Sequence, residues 1–295
     1  MEIEPNISSI RVAANGLSFH VATCGDEQSD RLALCLHGFP ESSFAFRYQL
    51  PMFARLGYRA WAPDLRGYGE SSRPSGLRQY AVEKLEEDVA GLIDASGAKH
   101  VVLVGHDWGG GIAWNFAARR LRPLERLIIL NSPHPMCLFR GFLEPRQLRR
   151  LWYMLFFQLP WLPEKVLGWN HAAGIAIALE TSAIDKSHFP HAVTKIYQDN
   201  AAEPGALTAM LNYYRALPLS FLKLDRSRLQ KIETKTLLLW GEADDILLKS
   251  MTVGTERYVD DLTVELLPNV SHWIQEEAPD RVNALIRAWL TGSDS

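Results

Sequence analysis

Apolar residues follow two rhythms along this chain. In the first, short stretches are apolar at nearly every position: 32–36, 58–62, 101–104, 127–130, 236–240 and 262–267. Runs of that length without alternation predict strands buried on both faces. In the second, Val82, Leu85, Val89, Leu92 and Ile93 share one helical face, as do Val282, Leu285, Ile286, Trp289 and Leu290. Those spacings predict helices that cover a sheet. Near the start, Ile10 and Val12, then Leu17, Phe19 and Val21, alternate around Asn15-Gly16, a pair suited to a type I′ hairpin turn. Alternation of strand and helix predicts an α/β fold with a mostly parallel sheet and helices on both faces. The alternation breaks once. Residues 134–218 are rich in aromatics and carry no strand pattern, with helices expected at 147–159 and 205–217, and so form an inserted helical lid. The expected organisation is a core in two parts, 1–133 and 219–295, around the insertion 134–218.

The 295 residues suffice for one large domain carrying such an insertion. Apolar residues are 47% of the chain and charged residues 22%, ordinary for a globular protein. The net charge of −3, without a block of like charge, gives no footprint for nucleic acid. Cys24, Cys35 and Cys137 are odd in number and scattered, which points away from a disulfide framework. The chain opens without the pattern of a signal peptide, and its longest greasy stretch, 151–163, is too short to span a bilayer. A cytoplasmic protein is expected. His188 and His191 are three apart, but no third ligand accompanies them, so no metal site and no cofactor is expected.

The chemistry concentrates in 101–111, where a strand runs into Gly105-His106-Asp107-Trp108-Gly109-Gly110 and a helix begins near Gly109. This resembles the nucleophile elbow of α/β-hydrolases, with Asp107 at the nucleophile position. A carboxylate there needs no deprotonation, and its natural target is an sp³ carbon bearing a leaving oxygen or halide, which yields an alkyl ester of the enzyme. His272 lies between the last strand and the last helix, and Gly241-Glu242-Ala243-Asp244 follows the strand at 236–240, so nucleophile, acid and histidine come in the superfamily's order. Asp244 is the expected acid, Asp245 its rival and Glu242 a third choice. By the same resemblance, the oxyanion-hole N–H groups would come from Phe39, in His37-Gly38-Phe39-Pro40, and from Trp108. The loop 64–69 also resembles the superfamily and is read as structural.

Taken together, 37–40, 105–110, 241–244 and 271–273 are similar to the epoxide hydrolases of the α/β-hydrolase superfamily, over nearly the whole chain. That resemblance implies two insertion tyrosines holding the epoxide oxygen. Trp152-Tyr153-Met154-Leu155-Phe156-Phe157-Gln158 and Leu211-Asn212-Tyr213-Tyr214-Arg215 match the segments that carry them, which assigns Tyr153 and Tyr214, with Tyr213 as fallback. The implied reaction is epoxide to vicinal diol through an ester on Asp107, hydrolysed by water that His272 and Asp244 activate. Haloalkane dehalogenases share the aspartate nucleophile, but many have asparagine where Phe39 stands. Fluoroacetate dehalogenases typically carry arginines after the nucleophile, where this chain has Trp108 and Gly111. A non-catalytic binding protein on the same fold is the third reading. Phe156, Phe157, Trp161 and Trp169 suggest an apolar channel and a hydrophobic epoxide substrate.

Overall fold

The computed structural model describes residues 6–223 and 230–292. Its strands are β1 (Ser8–Ala14), β2 (Leu17–Cys24), β3 (Arg31–Leu36), β4 (Arg59–Pro63), β5 (His100–His106), β6 (Arg126–Leu130), β7 (Thr236–Gly241) and β8 (Leu262–Leu267). They form one sheet in the order β1-β2-β4-β3-β5-β6-β7-β8. β2 is antiparallel to β1 and β4, and the other neighbours are parallel. Asn15 and Gly16, both at positive φ, close the first hairpin as its turn type requires.

The apolar runs of β3 to β7 are continuous because both faces of the sheet are covered there, whereas β8, expected to be buried, is an edge strand that leaves Val264 and Leu266 exposed. Leu34, Leu103, Leu127 and Leu238 face one core, while Cys35, Val102, Ile128 and Leu237 face the other. α1 (Gln49–Arg55) covers the second face together with α12 (Pro279–Thr291), the last helix. α2 (Val82–Ser96) and α3 (Trp108–Ala118) cover the first. α2 is placed by the predicted stripe, with Leu85, Val89 and Leu92 buried. Cys24, Cys35 and Cys137 are buried free thiols.

Between β6 and β7 the chain leaves the sheet through α4 (Pro135–Gly141), α5 (Pro145–Arg150), α6 (Trp152–Phe156), α7 (Leu162–Leu167), α8 (Trp169–Ser182), α9 (His191–Ala202) and α10 (Ala206–Lys223). Two details differ from the sequence pattern. The helix expected over 147–159 is two short helices with Leu151 between them, where ψ rises to 12°. At the far end, α10 continues through Pro218, so the excursion does not close there. A proline removes one helix hydrogen bond but does not forbid the next turn when the rest of the helix is packed. A short α11 (Ile274–Glu277) precedes α12.

Candidate active site

β5 sits in the middle of the parallel strands and delivers Asp107 at its carboxyl end, directly before α3. Asp107 has φ 48° and ψ −115°, a conformation that costs a non-glycine residue about 1–3 kcal/mol and persists only where neighbours enforce it. Its carbonyl accepts from the Gly111 N–H at 2.9 Å and from the Ser132 hydroxyl at 2.8 Å. Close packing explains the glycines. A Cβ on Gly109 would lie 2.1 Å from the Leu36 carbonyl oxygen, and one on Gly38 would lie 2.5 Å from the Cβ of Asp107. The loop after β3 can therefore approach the carboxylate closely enough for the Phe39 N–H to donate to Asp107 Oδ1 at 2.9 Å. Trp108 is the first residue of α3, where a helix N–H has no partner within its own helix.

His272 lies beyond the end of β8, with its Nε2 3.6 Å from Asp107 Oδ2 and its Nδ1 2.7 Å from Asp244 Oδ2. Asp244 also accepts from the N–H groups of Ile246 and Leu247 and from the Asn131 side-chain amide, at 2.7–2.8 Å. Every lone-pair direction of this buried carboxylate thus has a donor, which makes it a fixed anion beside the imidazole. Asp245 turns outward and pairs with Arg150, and Glu242 pairs with Lys249, so neither rival meets His272. Burial disfavours a charged imidazole, but the carboxylates of Asp244 and Asp107 outweigh it and raise the His272 pKa to about 10. Burial likewise pushes the Asp107 carboxyl up, and His272, His106 and the Phe39 N–H more than reverse that, holding it ionised.

A second buried acid–imidazole pair stands behind the first. Glu41 Oε2 is 2.7 Å from His106 Nδ1 and accepts from the Gly38 N–H at 2.8 Å, while its Oε1 accepts from the Gln275 amide at 2.7 Å. His106 Nε2 donates to the His272 carbonyl at 2.9 Å. One network thus ties the Phe39 loop, the elbow and the His272 loop together. Burial would raise the Glu41 pKa, yet His106 and the Gly38 N–H bring it below the ordinary value. Sequence reasoning assigned no role to Glu41, His106 or Gln275. The one signal available was a charged residue directly after Pro40 in a loop expected to be buried. Asn131, likewise given no role, braces Asp244 and accepts from the Gly241 N–H at 2.9 Å.

The insertion closes the site from above. Tyr214, on α10, is buried with its ring 5.0 Å from Trp108, 5.3 Å from Phe39 and 5.9 Å from Tyr153 on α6, all edge to face. Burial raises both phenols well above their ordinary pKa, and the negative charge of Asp107 adds to this, so both hydroxyls stay protonated donors. Tyr213 is otherwise engaged, its hydroxyl donating to the Arg66 carbonyl at 2.8 Å. Phe157 packs against Phe39, Tyr153 and Tyr214, as an apolar lining requires. Trp161 and Trp169 do not join it. They are 61% and 67% exposed, on the outside of the insertion, which corrects their placement in a channel. The loop 64–69 is braced: Asp64 accepts from the Ser43 and Glu70 N–H groups, and Arg66 binds Asp88 through two bonds of 2.5–2.6 Å.

The comparisons with known proteins agree with this fold. Residues 34–279 match the family described as the alpha/beta hydrolase fold. "Epoxide hydrolase 3" of Xenopus tropicalis is 39% identical over 291 residues, covering 95% of this chain and 77% of that protein. The "AB hydrolase superfamily protein YfhM" of Bacillus subtilis (strain 168) is 36% identical, covering 95% of this chain and 96% of the relative. Among solved structures, the Bacillus megaterium epoxide hydrolase in complex with an inhibitor has a TM-score of 0.86 at 29% identity, over 96% of this chain and 100% of that one. With an eight-stranded sheet, an aspartate at the elbow and relatives of this kind over nearly its full length, the chain belongs to the α/β-hydrolase fold family, among relatives named as epoxide hydrolases.

Proposed function

We propose that the protein converts an epoxide to a vicinal diol through a covalent ester on Asp107. The carrying observation is the composition of the site: an ionised carboxylate at the elbow, with two protonated phenols beside it on the insertion, buried Tyr214 and half-buried Tyr153. In the proposed first step Asp107 Oδ2 attacks an epoxide carbon opposite its oxygen. The C–O bond of the ring breaks, and the departing oxygen takes a proton from Tyr153 or Tyr214. The proton of His272 replaces the one given up, through solvent, so that a neutral ester and a neutral imidazole face each other.

In the second step His272, oriented by Asp244, takes a proton from water, and the hydroxide adds to the ester carbonyl. The Phe39 and Trp108 N–H groups receive the oxyanion. Collapse expels the diol oxygen, which takes the remaining proton, and Asp107 and the His272 imidazolium are restored. Atoms balance as epoxide plus water to diol. The excursion from residue 134 onward acts as the cap, and the aromatic walls Phe39, Trp108 and Phe157 support a hydrophobic substrate. The three buried free thiols support a reducing, cytoplasmic compartment. No helix among the described residues is long and apolar enough to cross a membrane.

The source of the diol oxygen tests this reading. With enzyme in excess over an aryl epoxide in ¹⁸O-water, first-turnover diol should be almost unlabelled, and the peptide containing Asp107 should become heavy. Immediate labelling of the diol with a light peptide would make Asp107 a general base and defeat the ester.

A further inference from the structure

The helices that carry Tyr153 also present an outer face that neither the reaction nor the fold uses. α5 and α6 are fastened inward by Gln147, whose amide donates to the Ile246 carbonyl and accepts from the Leu248 N–H, and by buried Leu151 and Phe157. On the solvent side stand Leu148 on α5, Trp152 and Leu155 on α6, and Leu159 in the turn that follows α6. These residues are 51%, 64%, 73% and 44% exposed. Single exposed leucines are ordinary, but four large apolar side chains left exposed within twelve residues, one of them a tryptophan, mark a surface that something covers.

Charge identifies the occupant. Residues 135–169 contain five Lys/Arg (Arg140, Arg146, Arg149, Arg150, Lys165) against two Asp/Glu (Glu144, Glu164), a local +3 in a chain whose net charge is −3. Arg150 answers Asp245, and Glu144 accepts from the Ser250 hydroxyl. Arg146 and Arg149 are exposed, and no ion pair to a carboxylate is recorded for either among the described residues. They line the same surface depression as Trp152 and Glu144, where Arg150 and Lys249 are already answered by Asp245 and Glu242. Apolar side chains including tryptophan, flanked by unpaired arginines, match the chemistry of an anionic bilayer surface: acyl chains take the apolar side chains, and headgroup phosphates take the guanidinium groups. A second copy of this chain fits worse, because a symmetric contact would bring two patches of the same positive charge together.

We propose that this face of α5 and α6 docks the protein reversibly on anionic phospholipid membranes. The inference does not depend on the reaction assigned above. Flotation of the full chain with vesicles of phosphatidylcholine, alone or mixed with phosphatidylglycerol, tests it. The expected result is flotation with the phosphatidylglycerol vesicles, weakened by salt and much reduced on neutral ones. Each basic residue near such a surface contributes roughly fivefold in partitioning, so Arg146→Gln with Arg149→Gln should lower it by about 30-fold. Leu155→Glu should remove it. Both changes lie on exposed side chains, and circular dichroism of each variant verifies the fold. Failure to float on anionic vesicles, or flotation indifferent to both variants, overturns the proposal. So does a dimer in sedimentation experiments that Leu155→Glu dissolves, since the face would then belong to a second copy.

Discussion

Replacing Asp107 by Asn should drop the pKa of His272 by about three pH units. His272 is held between two carboxylates, Asp244 at 2.7 Å and Asp107 at 3.6 Å, and together these raise it to about 10 against the opposing effect of burial. Two unit charges 3.6 Å apart attract by roughly 4–5 kcal/mol at an effective dielectric of about 20, and one pH unit corresponds to about 1.4 kcal/mol. Removing the Asp107 charge while keeping its shape therefore places His272 near pH 7. Esterification removes the same charge. The resting enzyme then holds an imidazolium that cannot act as a base, and alkylation itself creates the base that the second step needs. Histidine-labelled ¹⁵N NMR across the neutral and alkaline range reads the imidazole directly in wild type and in Asp107→Asn. A shift below about half a unit would assign the raised pKa to Asp244 alone and refute the coupling of base formation to the ester. The same pKa sets a sign for stability. His272 titrates higher folded than unfolded, so it stabilises the fold fully below about pH 6.5, and that contribution is lost as pH rises through about 10. Asp107→Asn should move the upper limit of this loss toward neutrality in thermal melts.

His272→Gln should accumulate the ester, because alkylation uses Asp107 and the tyrosines while hydrolysis needs the imidazole; intact-protein mass spectrometry should find one substrate mass added, and unmodified protein that demonstrably binds the epoxide would contradict the two-step scheme. Tyr153→Phe and Tyr214→Phe should each slow single-turnover alkylation by about 2–4 kcal/mol, a factor of roughly 30 to 1,000, and leave ester hydrolysis much less affected. Normal alkylation in both would remove the pair from the mechanism. Asn131→Ala takes one donor from Asp244 and strands the Gly241 N–H, so denaturant unfolding should register a loss of about 1–3 kcal/mol; an unchanged midpoint would mean that water replaces the amide without cost.

What the sequence revealed, it revealed where local demands were severe. A strand covered on both faces has to be apolar at consecutive positions, so five of the runs announced β3 to β7; the sixth announced β8, but that edge strand leaves Val264 and Leu266 exposed. The elbow was legible because crowding against the β3 loop leaves only glycine at Gly38 and Gly109, a demand written within a few residues of Asp107. Asp244 and Asp245 could be ranked but not separated, since both follow β7 and the choice depends on the turn that aims one at Asn131 and the other at Arg150. The outward Trp161 and Trp169 were misplaced because a residue count of aromatics has no direction, and only the packing of α7 and α8, which begin at them, decides which side of the insertion each one occupies. His106 is the clearest limit. Its neighbours in sequence mark it as part of a motif, yet its work is done with Glu41, 65 residues before it, and with the His272 carbonyl, 166 residues after it. A carbonyl can only accept, so Nε2 must carry a proton, and Nδ1 is left to face the Glu41 carboxylate. Held at both ring nitrogens, the buried imidazole braces the oxyanion loop and the His272 loop at once, a role that only the packed fold can assign.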